Sequence, residues 1–143
     1  ATDHAPHSTV DKACTFQEAA FGISGLETTF GLLMSLVHRG EIDLPTLINR
    51  LTVGPARILP SRWAHLGTLR PGALGDVVVL DPNAQWLVDP SEFASKGKNT
   101  PLQGMTLKGK VVATVVEGRV VYDSKRPRSL GSVPMVADGG ASS

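Results

Sequence analysis

What most constrains this chain is a single change of hydrophobic period. Over residues 24–59 the apolar side chains recur at helical spacing, and from Gly67 onward the pattern is that of strands and tight turns. Leu26, Phe30, Leu33, Met34 and Val37 share one helical face, and Gly40 after His38 and Arg39 is a stop signal. Ser24 followed three residues later by Glu27 has the form of a capping box, which predicts a helix beginning at Ser24. His38 then has an ordinary role as a cation near a helix C-terminus. A second helix is predicted from Asp43, with Pro45 in its first turn and Leu47, Ile48 and Leu51 as its apolar stripe. A short third helix is predicted over residues 55–59.

The second half opens with "GTLRPGALGDVVVLDP", which holds two turn signals and then a buried-type strand over residues 77–80. Residues 86–88 are a short strand candidate. Residues 111–116 and 119–122, parted by Glu117 and Gly118, predict a β-hairpin with a two-residue turn. The polar, glycine-bearing stretch "SKGKNTPLQGMTLKG" reads as a loop feeding that hairpin. The last segment, "SKRPRSLGSVPMVADGGASS", reads as a solvated tail.

Loop, then helices, then strands is an awkward order for a free-standing fold. The helices are too few to make their own layer, and nothing ahead of Asp3 supplies a strand for them to pack on. The expectation is therefore a piece of something larger, with an unpaired apolar helix face and open strand edges. Composition narrows the class. The chain has 143 residues, of which 41% are hydrophobic and 19% charged, an ordinary globular balance. A net charge of +1 gives no electrostatic case for nucleic acid or anionic lipid. No run approaches the roughly 18 apolar residues of a membrane helix. A lone cysteine, Cys14, excludes an internal disulfide and favours a reducing, cytoplasmic setting. Cys14 itself reads as a small half-buried residue without an activating partner.

The chemistry-bearing string is the opening "ATDHAPH". A carboxylate and imidazoles are ligands that zinc accepts. If Ala1 and Thr2 end a strand, Asp3 sits at its C-terminal end, where α/β barrels place catalytic groups. On an extended chain Asp3 and His4 point to opposite sides, while His7, beyond the Pro6 bend, can return to the side of Asp3. Spacing alone leaves two readings open, a metal or proton-transfer site and a loop with fortuitous histidines. His65 lies in a loop with no partner in view.

"ATDHAPH", followed by "FGISGLET", "GPARIL", "GTLRPGALGDVVVLDP" and "KNTPLQGMTLKGKVVATVVEGRVVYD", resembles the C-terminal part of dihydroorotases of the long type, in the amidohydrolase superfamily. The resemblance covers about residues 1–123. It departs at Ala20, where the family has proline, and at Gly54, where it has asparagine. The implied fold class is α/β: the C-terminal end of a (β/α)8 metal-dependent hydrolase barrel plus part of a small β-sandwich. Residues 1–60 would be the last strand, substrate loop and helices of the barrel, residues 61–123 the sandwich segment, and residues 124–143 a flexible tail. Carried over by position, the resemblance makes Asp3 a zinc ligand and the general base and acid. It makes His7 the holder of the substrate carboxylate, and Phe21 and Gly22 the backbone pair that contacts the substrate ring.

His4 receives no role and is read as structural or supporting. The implied cofactor is a two-zinc site whose other ligands are not in this chain. The implied partners are the small-molecule substrate, the N-terminal remainder of the enzyme, further copies of itself and aspartate transcarbamoylase. Three functional readings stay open. One is a segment of an active dihydroorotase, inactive in isolation. Another is a sister cyclic amidase such as an allantoinase or hydantoinase, against which His7 with Phe21 and Gly22 discriminates. The third is a non-catalytic dihydroorotase-like scaffold subunit of aspartate transcarbamoylase.

Overall fold

The computed structural model describes residues 2–63 and 65–126. In chain order the elements are α1 (Thr9–Lys12), α2 (Thr29–His38), α3 (Leu44–Leu51), α4 (Val53–Ala56), β1 (Val77–Leu87), β2 (Thr106–Val116) and β3 (Arg119–Asp123). Single 3-10 turns lie at Ser61–Trp63 and Pro90–Glu92. The strands form one antiparallel sheet in the order β1-β2-β3. Among the described residues no helix is long and apolar enough to cross a membrane.

The predicted hairpin is present. Val116 pairs with Arg119, and the two turn residues both take positive φ, 49° at Glu117 and 76° at Gly118. That is the turn geometry whose twist matches a two-residue hairpin. β2 begins earlier than its valine run, at Thr106, so residues 106–109 of the expected loop are strand. The two predicted pieces at 77–80 and 86–88 belong to one strand that ends at Leu87, one residue short of the second piece, with an irregularity between Asp81 and Gln85. The Asp81 carboxylate accepts from the amides of Asn83 at 2.8 Å and Ala84 at 2.9 Å. It thereby satisfies the groups that the bulge withdraws from the ladder and lets pairing resume past Pro82.

α3 starts where Asp43 predicts, its carboxylate accepting from the Thr46 amide at 2.8 Å. α2 does not start at Ser24. Ser24 is fully buried, and its hydroxyl donates to Gly97 O at 2.7 Å. Glu27 accepts from the Ser95 amide at 2.8 Å. Both members of the supposed capping box are thus engaged by residues some 70 positions further along the chain, and the helix begins at Thr29. The capping box that does form is Ser8 with Asp11, at the start of α1.

The apolar face of α2 also has a partner within the chain, contrary to the expectation from element order. Phe30 and Met34 are buried with Leu47 of α3, against Leu80 and Val111 of the sheet. Two glycines allow this approach. A Cβ at Gly31 would lie 2.8 Å from Gly109 O, and one at Gly109 would lie 2.6 Å from Met34 Cγ. Gly109 also carries φ 114°, and its carbonyl accepts from Trp86 Nε1 at 2.9 Å. Leu26, counted on that face by sequence, remains exposed. A second apolar cluster, Val88, Phe93 and Leu107 with Trp86 and Leu102, underlies the connection from β1 to β2. That connection runs to the site. The tail residues 127–143, like Ala1, lie outside the described residues, and the Ser124 amide still donates to Val112 O at 2.8 Å.

Candidate functional site

Three stretches far apart in sequence converge here: residues 3–7, residues 20–24 and residues 93–100. The first two run side by side through a parallel bridge between His4 and Ile23, and the Ala5 amide donates to Ile23 O at 3.0 Å. Residues 8–20 make a closed excursion between them. The Ser8 hydroxyl and the Asp11 carboxylate cap α1, Lys12 Nζ donates to Ala20 O at 2.5 Å, and the Ala20 amide donates to Asp11 O at 3.2 Å. Closing that excursion returns the chain to His7, whose Nε2 donates to Phe21 O at 2.5 Å. The structure thus brings His7, Phe21 and Gly22 together.

The hydrogen bonds fix which groups remain for a ligand. A carbonyl only accepts, so His7 Nε2 carries a proton and Nδ1 is the ring nitrogen left over. The Gly22 carbonyl accepts from Asn99 Nδ2 at 3.0 Å. Both carbonyls of the Phe21 and Gly22 pair are therefore engaged, whereas their amides have no acceptor among the described residues. Glycine is required at 22 for internal reasons. Its φ is 124°, and a Cβ there would run into Ala5 O and lie 2.7 Å from Ala5 Cβ. The bare face of Gly22 is turned to Ala5, not left open for a ligand.

Asp3 is exposed and adopts φ 48°, a left-handed conformation that aspartate tolerates better than most residues. The segment is therefore not extended through Asp3, and the alternation that sets Asp3 and His4 on opposite sides does not apply. Among the described residues the Asp3 carboxylate has no hydrogen bond. His4 is structural: its Nδ1 accepts from the amides of Gly25 at 3.1 Å and Leu26 at 3.3 Å, satisfying the turn that leads into α2. Among the described residues no three His, Cys, Asp or Glu side chains converge. Cys14 is exposed, not half-buried. The two departures from the resemblance have local consequences. Ala20 has an amide for Asp11 O that a proline lacks, and a Cβ at Gly54 would lie 2.8 Å from Asn49 O.

Asp11, at the cap of α1, titrates below the usual carboxylate range, held there by the Ser8 side chain, then the Ser8 amide, and in smaller part by His7. Glu27 also titrates low. Burial pushes it up, but hydrogen bonding from Ser95 outweighs that, and His4 helps. No sequence pattern singles out Asn99 or Gly97, and the pattern that does single out Glu27 assigns it to a helix cap rather than to Ser95. The only signal was the "KNTP" string within a stretch that reads as an ordinary polar loop.

The model of the amidohydrolase family matches residues 1–122. The chain is 53% identical over 121 residues to the dihydroorotase of Syntrophus aciditrophicus (strain SB), covering 85% of this chain and 28% of that protein. It is 48% identical over 128 residues to the dihydroorotase of Anaeromyxobacter dehalogenans (strain 2CP-1 / ATCC BAA-258), covering 88% and 28%. The chain thus spans less than a third of these curated relatives. Among solved structures, the L-hydantoinase (dihydropyrimidinase) from Arthrobacter aurescens matches with a TM-score of 0.66 at 32% identity, over 75% of this chain and 24% of that one. The D-hydantoinase (dihydropyrimidinase) from Thermus sp. shares the fold, with a TM-score of 0.71 at 24% identity over 82% and 26%.

Proposed function

The chain belongs to the amidohydrolase family, and from that premise we propose that it is the C-terminal part of a dihydroorotase. The complete enzyme would interconvert N-carbamoyl-L-aspartate and L-dihydroorotate in pyrimidine biosynthesis, in the cytoplasm. The observation that carries this reading is the hydrogen bond from His7 Nε2 to the Phe21 carbonyl beside Gly22. It joins the two motifs that the resemblance assigns to the substrate, and the relatives that share 53% and 48% identity are dihydroorotases.

The chemistry follows from the groups left over. With Nε2 on Phe21 O, His7 meets a substrate carboxylate through Nδ1, and it donates there as the doubly protonated imidazolium. The amides of Phe21 and Gly22 offer donors to a ring carbonyl. Asp3, exposed and without a hydrogen bond among the described residues, takes and returns the proton of the amide hydrolysis. A two-zinc site, as the resemblance implies, would draw only Asp3 from this chain and its remaining ligands from the rest of the protein. Homo-oligomerisation and association with aspartate transcarbamoylase belong to the same reading.

The L-hydantoinase similarity favours a second reading, a cyclic amidase acting on five-membered ureides. The test is the complete enzyme assayed on dihydroorotate and on hydantoin, followed by His7→Ala. Turnover of dihydroorotate is expected, with His7→Ala raising KM more than it lowers kcat, since a carboxylate holder serves ground state and transition state alike. Preference for hydantoin, with His7→Ala leaving KM unchanged, would reverse the assignment.

A further inference from the structure

We propose that Asn99 is the positioning residue of the substrate site, holding His7 and the Phe21 and Gly22 pair in register with each other. This rests on the dihydroorotase reading for its substrate but not for its geometry.

Asn99 lies more than 70 residues from either segment it joins, and it uses both ends of its amide. Oδ1 accepts from the His7 amide at 3.2 Å, and Nδ2 donates to Gly22 O at 3.0 Å. Only one orientation of the amide satisfies both, because an N–H needs an acceptor and a carbonyl needs a donor. The Asn99 backbone adds a third tie, its carbonyl accepting from the Ser24 amide at 2.7 Å. The loop around it is itself fastened. Ser95 is held by Glu27, and Gly97 O accepts from Ser24 Oγ. A Cβ at Gly97 would collide with Pro6. His7 and Phe21 also bond directly, but the excursion of residues 8–20 between them is mostly exposed and makes no bond to the sheet. Asn99 is the link between both segments and a loop seated on the Val88, Phe93 and Leu107 cluster.

Asparagine is specific for this. Aspartate has the same size and keeps the acceptor for the His7 amide, but it sets an oxygen against Gly22 O in place of a donor. In the complete enzyme, Asn99→Asp is expected to raise KM for dihydroorotate about tenfold, the scale of one good hydrogen bond turned to repulsion, with kcat within about threefold and Tm little changed. Lys98→Met serves as the loop control. It removes the bond from Lys98 Nζ to Phe93 O without touching either site segment, and KM is expected to stay as in the parent. Asn99→Ala is expected to speed hydrogen exchange at the His7 amide, a readout that needs no turnover.

An unchanged KM in Asn99→Asp, or an equal rise in Lys98→Met, overturns the positioning role while the parent enzyme still consumes dihydroorotate. A parent enzyme that consumes hydantoin instead overturns the substrate reading alone, and the same KM comparison on hydantoin then decides Asn99. Should the parent consume neither, unchanged exchange at His7 in Asn99→Ala overturns the inference by itself.

Discussion

At the scale of single residues, the opening string contains one carboxylate without a hydrogen bond among the described residues and two histidines with different partners. His4 is spent on the amides of Gly25 and Leu26, and His7 is turned to Phe21. The sequence places both histidines near Asp3 but does not separate their tasks by itself, because the chain turns at Asp3 with φ 48° and the partners come from residues 21–26. That backbone angle also selects the right probe for Asp3. Asparagine shares aspartate's tolerance of the left-handed region, so Asp3→Asn removes the charge and proton acceptor without new strain. In the complete enzyme the expected result is a fall in kcat of at least about a hundredfold with unchanged circular dichroism, the usual scale for an acid–base group. Near-normal turnover in Asp3→Asn with metal bound would take the proton-transfer role away from this residue. Gly22 was legible as a special position, but for a reason the sequence hides: the atom its missing Cβ avoids is Ala5 O, not a ligand.

At the scale of elements, the hairpin turn at Glu117 and Gly118 and the start of α3 at Asp43 were readable because their causes are local. Ser24 with Glu27 matches the capping-box pattern as well as Ser8 with Asp11 does, yet only the latter caps a helix. The difference is made by residues 93–100, which no local pattern brings to Ser24. Glu27 makes this loop's attachment sensitive to acid. Its carboxyl titrates below the ordinary 4.5, so the stability it adds is present above that value and is lost as pH falls through the lowered one. Glu27→Gln keeps an acceptor for the Ser95 amide and abolishes the charge. Comparing the two proteins at each pH cancels the intrinsic pH dependence of exchange. The Ser95 amide is expected to be better protected in the parent above pH 4.5, with the difference shrinking as pH falls below that value. A difference that stays constant across that range would mean the charge on Glu27 does not hold the loop.

At the scale of the whole molecule, the helices and the sheet share one core, since Phe30 and Met34 pack with Leu80 and Val111. Period and element order had suggested a helix face without a partner; glycines 31 and 109, whose close approach no hydrophobic pattern announces, supply one. Other apolar surface does stay open. Val10, Phe16 and Phe21 on the site side are each more than 80% exposed, and Val78, Val79, Val120 and Val121 of the sheet are exposed as well. Removing such surface from water favours association at roughly 25 cal/mol per Å². The chain matches only 28% of its curated relatives' length, and its described residues bring no three metal-binding side chains together. On the proposed reading, amide hydrolysis by a two-metal site needs several ligands to fix the ions, of which Asp3 would supply one. Residues 1–143 by themselves are therefore expected to bind zinc weakly and to leave the ultraviolet absorbance of dihydroorotate unchanged over time. On the same reading, mixing or co-expressing them with the remainder of a dihydroorotase is expected to give association and measurable turnover, because association would remove the exposed apolar surface from water. The decisive comparison is each piece alone and then both together, with zinc present throughout. Turnover by residues 1–143 alone would require a self-contained site on Asp3, His4 and His7, and would remove His4 from the structural place that its two amide partners give it.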